Sequence, residues 1–178
     1  AQSSTSRSVG PVTANVRIDI FSDFECPSCK ALHEQTVKRV KEEFAMKGKL
    51  RLVHHDFPLP RHKHARQAAI LAAASDRLGK LGAVADALFR EQESWSKSGN
   101  VDAVVDSVLT PEERKKVREI AKDPAILANI ERDVQLSENI LRCLVLKSDH
   151  IAMKDVEAMQ PQQPVAEEHD TRAFRRAF

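Results

Sequence analysis

A chain of 178 residues with 42% hydrophobic and 30% charged side chains is long enough to bury one core and has the composition of an ordinary globular protein. No run approaches the roughly 18 consecutive apolar residues that cross a bilayer, so no membrane span is expected. A formal net charge of +2 offers no strong field for nucleic acid, and three cysteines are too few for a disulfide-stapled scaffold.

Residues 1–11 are polar and small and read as a flexible lead-in ending at Gly10-Pro11. Val16, Ile18 and Ile20 alternate, predicting a strand over Val12 to Phe21. After a short turn, Cys26-Pro27-Ser28-Cys29 opens a helix, with the proline in the first turn, where its missing N–H costs nothing. Leu32, Thr36, Val40 and Phe44 recur every four residues, with Val37 widening the stripe, and predict the buried face; Lys47-Gly48 predicts the stop. Leu50 to Phe57 reads as a second strand, which after such a crossover lies parallel to the first. From 62 to 142 the pattern is helical throughout, some five helices. Thr110-Pro111-Glu112-Glu113 and Asp123-Pro124 mark helix starts. Beyond 143 the reading is short strands at Leu144–Leu146 and Ile151–Met153 and a closing helix over Glu167–Phe178.

Chemistry concentrates in one motif. A cysteine at a helix start meets unpaired backbone N–H groups and the positive end of the helix dipole, both of which favour an anion. Cys26 is therefore the expected nucleophilic thiolate, and Cys29, one turn further in, is the thiol close enough to bond it. A zinc half-site is the competing reading, but His62 and His64 are two apart and His54 and His55 point to opposite sides of a strand, which is poor ligand spacing. A purely structural bridge over two residues removes little unfolded-state entropy. Cys143, among Leu141, Leu144 and Val145, reads as a small core residue; Phe89 and Trp95 read as core aromatics, and His33 as a surface residue.

The stretch from Val16 to Lys30, VRIDIFSDFECPSCK, resembles the active-site strand and helix of the DsbA-like branch of the thioredoxin superfamily. His55-Asp56-Phe57-Pro58-Leu59, then His62, Ala65 and an alanine-rich helix, is similar to the segment after that family's next strand. The resemblance implies an α/β, thioredoxin-like fold with an all-helical insert between its halves: 12–61 and about 143–178 as the thioredoxin-like parts, 62–142 as the insert, all one domain. It implies a protein disulfide oxidoreductase, foremost an oxidase, with Cys26 as exposed nucleophile and Cys29 as buried resolving thiol. Pro27 and Ser28 would tune the potential, with Glu25 and His150 as further neighbours. No metal or other cofactor is called for. The implied partners are cysteine-containing protein substrates and a redox protein that regenerates the pair. The implied location is periplasmic or otherwise extracytoplasmic, with a signal peptide already removed before Ala1. A metal-binding module, or a thioredoxin-like module that binds substrate without redox activity, stands as the alternative.

Two positions depart from the family pattern. Where its members often carry a glutamate six residues before the first cysteine, this chain has Ile20, and Asp19 falls on the other face of the strand. Where they carry a cis-proline after Ser/Gly-Thr, the nearest match is Ser148-Asp149-His150, which puts an imidazole at that place; it reads first as an exposed loop histidine with no role, and otherwise as a group that stabilises the Cys26 thiolate or ligates a metal with both sulfurs.

Overall fold

The computed structural model describes residues 7–140. The expected strands at Leu144–Leu146 and Ile151–Met153, the closing helix, Cys143 and His150 lie outside the described residues.

Three strands and a crossover helix build the sheet layer. β1 is Ser8–Val9, β2 is Arg17–Ser22 and β3 is Arg51–Asp56, in the order β1-β3-β2. β2 and β3 run parallel, as the crossover length predicts, with Ile18 opposite Leu52 and Ser22 opposite Asp56. Strand β2 begins later than the alternation suggests, because Val12 and Val16 are exposed. The lead-in is only partly the free segment its composition predicts. Ser8 and Val9 pair antiparallel with Val53 and Leu52, and Arg7 O accepts the His54 N–H at 2.8 Å. Arg7 also ion-pairs with the buried carboxylates of Asp56, Asp76 and Asp133. These are long-range contacts that no local composition encodes.

The crossover is helix α1, a continuous helical run over 27–45 made of Pro27–Leu32, His33–Val37, Lys38–Val40 and Lys41–Ala45. It ends where predicted. Gly48 has φ 74°, a left-handed conformation that a Cβ disfavours, while Gly48 N and Lys49 N bond Ala45 O and Phe44 O. Its buried face differs from the predicted stripe. Leu32 and Phe44 are 43% and 41% exposed, and the residues packed toward the sheet are Val37, Val40 and Ala45. The second and fourth segments are wide π-type turns, with Lys38 N bonding His33 O and Met46 N bonding Lys41 O. A turn holding an extra residue rotates the later side chains away from a four-residue repeat, so the stripe drifts into solvent.

The helical block comes next as α2 (Ala65–Asp76), α3 (Leu81–Arg90), α4 (Gln92–Ser98), α5 (Val101–Asp106), α6 (Pro111–Ile120) and α7 (Pro124–Ile140). It holds one helix more than the sequence suggests, because 81–98 breaks at Glu91. The helix start read at Thr110 forms a cap: Thr110 Oγ1 accepts the Glu113 N–H while Glu113 accepts that of Thr110; Asn100 caps α5, its Oδ1 accepting the Ala103 N–H. Alanines let α2 sit between two packed clusters, with Ala68, Ala72 and Ala74 in one and Ala69 and Ala73 in the other. The larger cluster is built on Phe89, Trp95, Leu88 and the valines of α5, so both aromatics are core residues as expected, and the Trp95 indole N–H donates to Leu88 O at 2.7 Å. Phe24, in the turn before the cysteines, is 1% exposed and belongs to this cluster. The turn before the cysteines is thus pinned to the helical block rather than to the sheet alone.

Candidate active site

The chain leaves β2 at Ser22 and reaches α1 at Pro27, so the turn 23–26 sets where the sulfurs lie. Ser22 O still accepts a ladder bond from Phe57 N, at 2.9 Å. Asp23 then turns its carboxylate inward, 1% exposed. One oxygen accepts the Glu25 N–H at 2.7 Å; the other accepts the Leu59 N–H at 2.8 Å and meets His62 Nδ1 at 2.6 Å. A carboxylate buried away from water needs its oxygens paired, and these contacts pair both. Cys26 N closes the turn by donating to Asp23 O at 3.2 Å.

Cys26 is the N-cap of α1, with extended φ/ψ of −80° and 121°, and Pro27 occupies the first helical turn. Cys26 O accepts the first helical bond from Lys30 N at 3.1 Å, and Gln92 Nε2 reaches it at 3.1 Å while donating to Phe24 O at 2.6 Å. Pro27 and Ser28 are exposed or nearly so at the same helix start. Both cysteines are free thiols. The Cys26 sulfur lies near enough to act on the Cys29 thiol. Burial, reinforced by the neighbouring Cys26 sulfur, pushes the Cys29 thiol above its ordinary range.

The expected order of exposure is reversed. Cys26 is the more enclosed residue, 8% exposed, and Cys29 is half-buried at the edge of the helical core. The turn and Gln92 close over the Cys26 backbone, which helix position alone does not reveal. Glu25 sits beside the pair in sequence, but its carboxylate accepts the His64 N–H at 2.7 Å, at the start of α2. Asp19 bonds Arg17 and His55, and Ile20 packs in the apolar cluster under the sheet, so the two faces are assigned as the strand period predicts.

His33 is a further correction. It is no surface residue: its ring stacks on Phe89 with centroids 4.6 Å apart and its side chain is 17% exposed. The other histidines near the motif also face carboxylates, His54 toward Asp56, His55 toward Asp19 and Asp133, and His62 toward Asp23. Among the described residues no three histidine, cysteine or acidic side chains converge as metal ligands.

Asp23, His62 and Gln92 carry the turn, and the motif reading did not single out their roles. Asp23 had a local signal, since aspartate before a turn commonly bonds the backbone two residues on. His62 and Gln92 had none, because their partners lie 39 and 66 to 68 positions away.

A family model described as thioredoxin matches residues 2–164. A probable disulfide bond formation protein D from Bacillus cereus is 40% identical over 55 residues, which is 31% of this chain and 26% of that protein; the match therefore spans about a quarter of the relative's length. Among solved structures, Wolbachia pipientis alpha-DsbA1 superposes with a TM-score of 0.61 at 18% identity, covering 79% of this chain and 71% of that one. A thioredoxin-like oxidoreductase from Silicibacter pomeroyi gives 0.63 at 21% identity, covering 75% and 72%. The chain belongs to the thioredoxin family, and it shares its fold with these solved structures.

Proposed function

We propose that Cys26 and Cys29 are the redox pair of a disulfide oxidoreductase that oxidises cysteines in other proteins. The observation that carries this is the placement of two free thiols at the first turn of α1, Cys26 at the N-cap, a helix position that suits an anion, and Cys29 one turn in with its pKa raised by burial.

In the oxidised form the two sulfurs share a bond. A substrate thiolate attacks Cys26 Sγ, that bond breaks, and Cys29 leaves as a thiolate and takes a proton. A second thiolate of the substrate then attacks its own sulfur in the mixed disulfide. The substrate disulfide forms, Cys26 leaves as a thiolate at the helix N-terminus, and two electrons have moved from substrate to the pair. Regeneration needs a partner with a disulfide or equivalent oxidant, and the chemistry calls for an extracytoplasmic, oxidising compartment. The likeness to a disulfide bond formation protein supports this direction of exchange.

Oxidised protein mixed with a reduced, unfolded substrate that regains activity only with its disulfides tests the proposal. Recovery faster than the uncatalysed reaction, lost in Cys26→Ser, is expected; recovery no faster than background argues for a module that only binds.

A further inference from the structure

We propose that Gln92, at the start of α4, is a positioning residue for the thiol pair; this rests on the function proposed above and assigns it a control within the helical block.

The turn 23–26 has no ladder or helix to hold its carbonyls, yet the Cys26 sulfur is placed by that turn. Gln92 is 3% exposed, and its amide offers two N–H groups. It contacts two carbonyls two residues apart in the turn, Phe24 O at 2.6 Å and Cys26 O at 3.1 Å. Cys26 O thus receives both the first bond of the helix and the Gln92 contact. From the opposite side Asp23 ties the same turn to Leu59 and His62. The N-cap is therefore gripped between the loop after β3 and the helical block.

An N-cap carbonyl without its second donor can rotate, and with it the Cα–Cβ bond that sets where the Cys26 sulfur lies at the helix start. The N–H groups of a first turn stabilise a thiolate only over short range. Loosening the grip should cost the reduced form more than the disulfide, whose sulfurs are already tied covalently. Gln92 is also well placed to sense the exchange, since it touches the nucleophile's own backbone.

The test is the equilibrium in which the protein disulfide and two glutathione thiols become the protein dithiol and one glutathione disulfide. Gln92→Met keeps length and volume and has no N–H to donate. It should shift this equilibrium about five- to tenfold toward the protein disulfide, as expected for losing one or two neutral hydrogen bonds. Val104→Ala, which thins the same core from α5, should lower the melting temperature and leave the equilibrium within about twofold of wild type. If Gln92→Met does not fold, the wild-type protein carries the test: the Gln92 side-chain amide signals in nitrogen-edited NMR should exchange slowly and move when the pair is oxidised. A Gln92→Met equilibrium within about twofold of wild type, less than one neutral hydrogen bond is worth, or amide signals indifferent to redox state, overturns the inference. Failure of the wild-type pair to exchange at all would instead sink the proposed function.

Discussion

His33 lies against Phe89, ring planes 28° apart, and its Nε2 meets Asp86 Oδ1 at 2.8 Å. One turn beyond Cys29, this contact docks α1 on α3. Burial lowers the imidazole's affinity for a proton and outweighs the opposing pull of Asp86. The folded state therefore binds this proton less readily than the unfolded state. Protonation costs stability as pH falls below the unfolded value of about 6.5. His33→Phe should flatten the loss of stability between pH 7 and pH 5, measured by urea denaturation; an unchanged slope would argue that the ring is not desolvated.

His55 works with the opposite sign. Burial disfavours its charged form, but hydrogen bonds and attraction from Asp133 on α7 and Asp19 on β2 prevail and raise its pKa. Arg7 and Arg132 line the same cleft. Its contribution is full below about pH 6.5 and is lost as pH rises through the higher folded value. His55→Gln should therefore destabilise the protein more at pH 6 than at pH 8.5. A deficit independent of pH would show that both ring nitrogens act without the charge.

Arg7 faces three carboxylates, Asp56, Asp76 and Asp133, that are each at most 7% exposed. Removing the shared cation leaves three buried carboxylates with less compensation, His54 and His55 still facing Asp56 and Asp133. Arg7→Gln should cost about 3 kcal/mol in chemical denaturation, while the glutathione equilibrium of the thiol pair stays near wild type. A cost under about 1 kcal/mol, the range of exposed pairs, would show that the cluster is solvated.

The parallel strand pair, the helix stop at Gly48, the capping box at Thr110 and the aromatic core were legible because each is encoded within a few neighbouring residues. The tethers that hold the site were not. Asp23 to His62 and Gln92 to Cys26 join positions far apart in sequence, and local patterning carries no trace of such pairs. The buried face of α1 was only half read: Val37 and Val40 pack on the sheet as the stripe suggests, but a four-residue repeat assumes regular α-helical turns, and Phe44, beyond the first wide turn, is exposed, as is Leu32 before it. Helix position suggested which thiol reacts, but not that Cys26 is the more enclosed of the two.

Because burial raises the Cys29 pKa, its attack on a mixed disulfide at Cys26 is limited by how little thiolate it holds. Stopped-flow release of glutathione from that adduct should accelerate about tenfold per pH unit between pH 6 and pH 8. A rate flat across this range would place the slow step elsewhere.

Trapping shows directly which sulfur exchanges. Incubated with oxidised glutathione, Cys29→Ser should accumulate a single stable adduct, mapped by peptide mass spectrometry to Cys26. Cys26→Ser should lose turnover on reduced protein, and Cys143→Ser should keep it. An adduct that forms on Cys143 in place of Cys26, or equal loss of turnover in all three variants, would contradict a redox pair at the start of α1.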